Sequence, residues 1–82
     1  MTNKEAAASY KEMMVDLANM MANIDGMKTR SEYISEQMHD NSDPSFDLSE
    51  ALEKLGKALA SMVTYADEYS KEADGEKKEA EK

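Results

Sequence analysis

Two uninterrupted ladders of mostly apolar residues, alternating steps of four and three, divide this chain on either side of a proline-containing turn. The first climbs through Ala6, Tyr10, Met13, Leu17, Met20, Ile24, Met27, Ser31, Ile34 and Met38; the second through Leu48, Leu52, Leu55, Leu59, Met62, Ala66, Tyr69 and Ala73. Such steps hold every rung on one stripe of an α-helix, whereas a strand would need a period of two. The spacing therefore predicts an all-α antiparallel two-helix hairpin, with one helix over about 4–39, a turn over 40–46 and a second helix over about 47–73.

Width is the second message of the ladders. With Tyr10 taken as heptad position a and Met13 as d, Ala7, Met14 and Met21 fall at e and broaden the first stripe to three apolar positions per heptad. Two helices alone cannot enclose a stripe that wide, so the hairpin is expected to close on something else. By symmetry the simplest closure is a homodimeric four-helix bundle, with a heterologous protein partner as the rival. The second helix carries Gly56, Ala58 and Ala60 around Leu55 and Leu59, small residues against which the methionines of the first would pack.

Asp25-Gly26 is a turn signal inside the first helix, and Gly costs about 1 kcal/mol there relative to Ala. The ladder keeps its phase across it, which predicts a helix that continues, with Gly26 at an outward position. At the start, Thr2 or Asn3 is expected to cap. The second helix has two candidate starts: Asp43 capping with Pro44 at the first helical position, or Asp47 capping with Glu50 three residues on and Phe46 as a hydrophobic staple. A short turn brings the helices back antiparallel, with Tyr69 or Ala73 beside Met13, and Ala6 and Tyr10 overhanging. Asp74-Gly75 is the expected stop, giving one domain over 1–75 and a charged, disordered tail over 76–82.

Composition narrows the function classes. The 82 residues carry a formal charge of −8 and no cysteine, which excludes a disulfide framework and any thiolate metal site. No clustered Lys and Arg are available for nucleic-acid phosphates or anionic lipid, and no apolar run approaches a membrane span. No apolar stretch follows Met1 to Glu5 as a secretory leader requires, so a cytoplasmic location is expected.

Catalysis and cofactors find little to work with. Glu36-Gln37-Met38-His39 has the Glu-x-x-His spacing of di-iron bundles, but Met38 occupies an inward position, which turns Glu36 and His39 outward. The acidic stretch Asp40, Asp43, Asp47 and Glu50 fails as a calcium loop, because Pro44, Ser45 and Ala51 stand where an oxygen ligand, a glycine and a glutamate belong. No Gly-rich phosphate loop and no nucleophile with a base are present. The expectation is a protein that is not an enzyme and holds no metal or cofactor.

What remains is recognition through a helix face. The candidate partner or dimer interface comprises Tyr10, Met13, Met14, Leu17, Met20, Met21, Ile24 and Met27 on the first helix and Leu55, Leu59, Met62, Tyr65 and Tyr69 on the second. Flexible thioethers serve both as core filler and as adaptable binding surface, and the flank Met14 and Met21 is the part expected to stay open for a partner. An alternative is a small acidic inhibitor, of the kind phages encode, whose turn blocks a basic or nucleic-acid-binding surface. In architecture the chain also resembles the short helical hairpins of specialised secretion systems, which implies a cargo or chaperone. It lacks their turn Trp-x-Gly, and Asp74 falls one residue late after Tyr69 for their Tyr-x-x-x-Asp/Glu signal. It also ends in charged residues rather than the apolar segment of a needle subunit.

Overall fold

The computed structural model describes the backbone of residues 1–81 and the side chains of residues 1–76. Two helices, α1 (Asn3–Met38) and α2 (Ser45–Glu81), pack along their lengths, and no strand occurs among the described residues. The result is a rod of 70 × 15 × 15 Å. Most of that length is paired helix, since 36 residues at 1.5 Å each span about 54 Å, and the turn and the far end of α2 extend it.

Both ends of α1 are closed, the first by side chains and the second by backbone bonds. Thr2 is the cap of α1: its hydroxyl accepts from the Glu5 backbone N–H at 3.1 Å while the Glu5 carboxylate accepts from the Thr2 N–H at 3.3 Å, a reciprocal capping box. α1 then runs through Asp25-Gly26 without interruption. It ends one residue before the expected boundary, because His39 adopts the left-handed conformation at φ 54°. The N–H of Asp40 bonds back to the Ser35 carbonyl at 3.0 Å and that of His39 to the Glu36 carbonyl at 3.3 Å, the paired bonds of a Schellman ending.

The turn is held by its own carboxylates. Asp40 Oδ1 accepts from both the backbone N–H and the hydroxyl of Ser42, at 3.1 and 3.2 Å. Asp43 Oδ1 accepts from the Ser45 N–H at 2.6 Å, and the Pro44 carbonyl takes the Leu48 N–H at 3.0 Å. Of the two possible starts for α2 the Asp43-Pro44 one forms. Asp47 lies inside the first turn and Phe46 is exposed.

Three expectations need correction. The stop at Asp74-Gly75 does not form: Gly75 has no positive φ, and helical backbone continues to Glu81 rather than ending near Ala73. Glu, Lys and Ala beyond the glycine are strong helix formers, enough to carry one unfavourable residue. Of the tail expected over 76–82, the side chains from 77 on and all of Lys82 lie outside the described residues. Second, Ala6 and Tyr10 do not overhang, because the longer α2 reaches them. The Tyr10 ring stacks on Tyr65 and Tyr69, with centroids 5.8 and 6.1 Å away, and the Asn3 amide donates to the Glu76 carboxylate.

The third correction concerns rotation. α2 presents its ladder to α1 as read, with Leu48, Leu52, Leu55, Leu59, Met62, Tyr69 and Ala73 half-buried and Ala66 buried. α1 does not. Its seam follows Ala7, Tyr10, Met14, Leu17, Met21 and Ile24, combining positions a and e, with Ala7 and Leu17 the buried residues. Ser49, Gly56 and Ser70 on one flank of α2 are small, with the half-exposed Val63 the one larger residue among them, and the e side of α1 leans over this flank; Met21 Cε sits against Gly56. The flank Met14 and Met21, expected to stay open, is covered by α2.

Candidate interaction surface

Turning α1 toward its e side lifts its d side out of the seam. Met13, Met20, Met27 and Ile34, spaced seven apart, are 42%, 54%, 46% and 60% exposed. Met38 extends the line at the turn end and is exposed as well. Scattered exposed apolar residues are ordinary, but five large ones in line on one helix are a face without a neighbour.

The side of the hairpin on which this stripe lies follows from the grooves that flank the seam. Met27, Arg30 and Ile34 share a groove with Pro44 and Leu48, and Ala6, Tyr10 and Met13 share another with Tyr69. On the opposite side Ala7 and Lys11 face Ser70 and Ala73. The α2 flank carrying Gly56 and Ser70 therefore belongs to the Met14 and Met21 side. Ala51, Ala58 and Tyr65 are left beside the exposed methionines, and together they form one apolar strip along the rod.

The anticipated interface residues thus divide. Tyr10, Met14, Leu17, Met21, Ile24, Leu55, Leu59, Met62 and Tyr69 lie in or at the seam, and Met13, Met20, Met27 and Tyr65 lie on the exposed strip. Ile34 and Met38, rungs of the first ladder outside the anticipated interface, belong with the strip. The sequence does carry a signal for this partition, because 7, 10, 14, 17, 21 and 24 form a second ladder as regular as the first.

The acidic turn has a different character. Asp40 and Asp43 spend carboxylate oxygens on Ser42 and Ser45, and the Ser45 hydroxyl and backbone N–H hold Asp43 below the usual carboxylate range, with Ser35 adding to the effect and desolvation opposing it. Both act as caps for their own backbone. Asp47 and Glu50 are exposed on the first turns of α2. Glu36 and His39 are both exposed, and among the described residues no group of three His, Asp or Glu is placed to hold a metal ion. No described helix is long and apolar enough to cross a membrane. Comparison with family models, with curated proteins and with solved structures finds no match in any of the three.

Proposed function

We propose that this chain is a non-enzymatic protein–protein interaction module that works by burying the Met13 to Ile34 strip, and that it completes itself as a homodimeric four-helix bundle in a cytoplasmic setting. The observation that carries the reading is the heptad-spaced line of large apolar side chains that α2 leaves uncovered. Area agrees with it. The chain exposes 6433 Å², whereas a folded monomer of 9.2 kDa is expected to expose about 4,900 Å². The excess of about 1,500 Å² follows from the rod shape, which leaves each helix open on several sides and so provides area for a partner.

The test separates the seam from the strip. Met20→Asp places a charge on the strip without entering the seam, so the isolated chain should lose its self-association and keep its helicity. Leu17→Ala removes buried seam area and should lower the stability of the hairpin by about 2 kcal/mol. Sedimentation equilibrium over a dilution series, with far-UV circular dichroism on the same samples, reads both. A wild-type chain that remains monomeric and fully helical at every concentration overturns the homodimer.

A further inference from the structure

We propose that the partner on this strip is a second copy running antiparallel along α1, with its turn at the opposite end of the bundle and a two-fold axis passing beside Asn23. The inference rests on the homodimer reading above and adds the arrangement. Asp16 and Arg30 are exposed, share the helical face that carries the methionine strip, and make no ion pair among the described residues. They lie seven residues before and seven after Asn23, so each is about 10.5 Å along the helix from that residue. An antiparallel two-fold at Asn23 therefore sets Asp16 across from the partner's Arg30, and repeats the pair by symmetry.

The apolar residues obey the same centre. Met20 and Met27 stand three before and four after Asn23, and Met13 and Ile34 ten before and eleven after. Met20 then meets the partner's Met27, and Met13 meets the partner's Ile34. Asn23 itself is exposed and comes to its own copy where the two helices cross. Its amide both donates and accepts, so two copies related by a two-fold can bond to each other reciprocally. Asn23 stands between Met20 and Met27 on the helix face, so this bond would lie among apolar side chains. On α2, Ala51 and Ala58 lie at the level of this centre, given that Met21 sits beside Gly56 and Tyr10 beside Tyr65 and Tyr69. Lys54 comes near its own copy, but at the outer rim, where salt screens the repulsion.

Charge opposes the other two-fold arrangement, in which both turns lie at one end. On this side of the rod the open end carries Glu5, Glu12, Asp16, Glu68 and Glu72, whereas Lys54 lies level with the centre and favours neither arrangement. Turn-to-turn pairing would bring the two acidic open ends together; the antiparallel one separates them and sets Asp16 against the partner's Arg30. Complementarity of this kind decides orientation more than it adds affinity.

The test uses the whole chain and its lack of cysteine. Asp16→Arg and Arg30→Asp each create two like-charged pairs and should each weaken the dimer about ten-fold, while the double variant D16R/R30D recovers to within about three-fold of wild type. Asn23→Cys should form an inter-chain disulfide on mild oxidation, because of the two arrangements only this one brings that residue to its own copy. A dimer in which Asn23→Cys fails to cross-link, while a mixture of the single variants Met20→Cys and Ala58→Cys does cross-link between copies, overturns the antiparallel arrangement and leaves the homodimer reading standing. A monomer that no reversal affects overturns both. Far-UV circular dichroism on each variant verifies that the hairpin is intact, and failure of the double reversal to recover a folded dimer also counts against the Asp16 and Arg30 pairing.

Discussion

The terminal methyl of Met21 lies 4.0 Å from the point where a Cβ on Gly56 would stand, an ordinary van der Waals separation. This contact fixes the rotation of α1: a flexible thioether from position e rests over the bare backbone of α2, and the d-position methionines are thereby turned to the outside. Gly56 lets Met21 lie over α2, but a methyl group at that position would still fit.

Gly56→Ala should therefore stabilise the hairpin by about 0.5–1 kcal/mol, since the helix-propensity gain meets a contact and not a clash. Gly26→Ala, where an added Cβ meets nothing within 4 Å, should gain about the same. Each should raise the melting temperature by about 4–8 °C per kcal/mol for a domain of this size. Gly56→Leu should reverse the sign, because its branched end occupies the space Met21 holds. Thermal melts of the three variants, at a concentration held constant, check the series. A loss of stability with Gly56→Ala would show that the seam is tighter there than 4.0 Å implies.

The same contact explains how much of this molecule is legible in its sequence. Two helices, their antiparallel turn, the passage through Gly26 and the seam of α2 all follow from the period of the ladder, because period alone fixes a stripe. The phase of α1 does not. Tyr10, Leu17 and Ile24 belong equally to a ladder through Met13 and Met20 and to one through Met14 and Met21, and only the small flank of α2 decides between them. The end of α2 is not legible at Gly75, because a helix-stopping glycine acts through a left-handed conformation and its residue type does not reveal whether it adopts one. The strip is visible as surplus width, but width alone points to the wrong edge of α1.

Tyr10 is held between two rings, stacked on Tyr65 at an interplanar angle of 18° and on Tyr69 at 14°. Tyr10→Leu keeps most of the apolar area and loses both stacking interactions, so it should cost about 1–2 kcal/mol. With no Trp and one Phe in the chain, near-UV circular dichroism reports the tyrosines almost alone. The variant should lose most of that signal while its far-UV spectrum is preserved. An unchanged near-UV spectrum would count against the stack.

His39 ends α1 in the left-handed region, where a Cβ costs about 1 kcal/mol. His39→Gly removes that cost and should stabilise the chain by about that amount, without altering the Schellman bonds to Ser35 and Glu36. His39→Ala, which keeps a Cβ, should give no such gain. Urea melts of the pair isolate the backbone effect, since both variants delete the imidazole and differ only in the methyl group. Equal stability of the two would contradict the left-handed ending.

Asp43 provides a pH-dependent part of the stability. Its carboxylate accepts the Ser45 N–H at 2.6 Å at the start of α2, and hydrogen bonds from the Ser45 hydroxyl and backbone lower its pKa in the folded chain. A group whose folded pKa is depressed binds fewer protons than its unfolded counterpart, so its contribution is complete above the ordinary Asp value of about 3.9 and is lost as pH falls through the lower folded value. Asp43→Asn keeps an oxygen for the cap and cannot titrate. The variant and the wild type should therefore differ in urea midpoint at neutral pH and converge as the pH falls through the depressed folded value, with the wild type showing the steeper fall. A difference between them that stays constant over the whole range would mean that the bond to Ser45 does not depend on the charge.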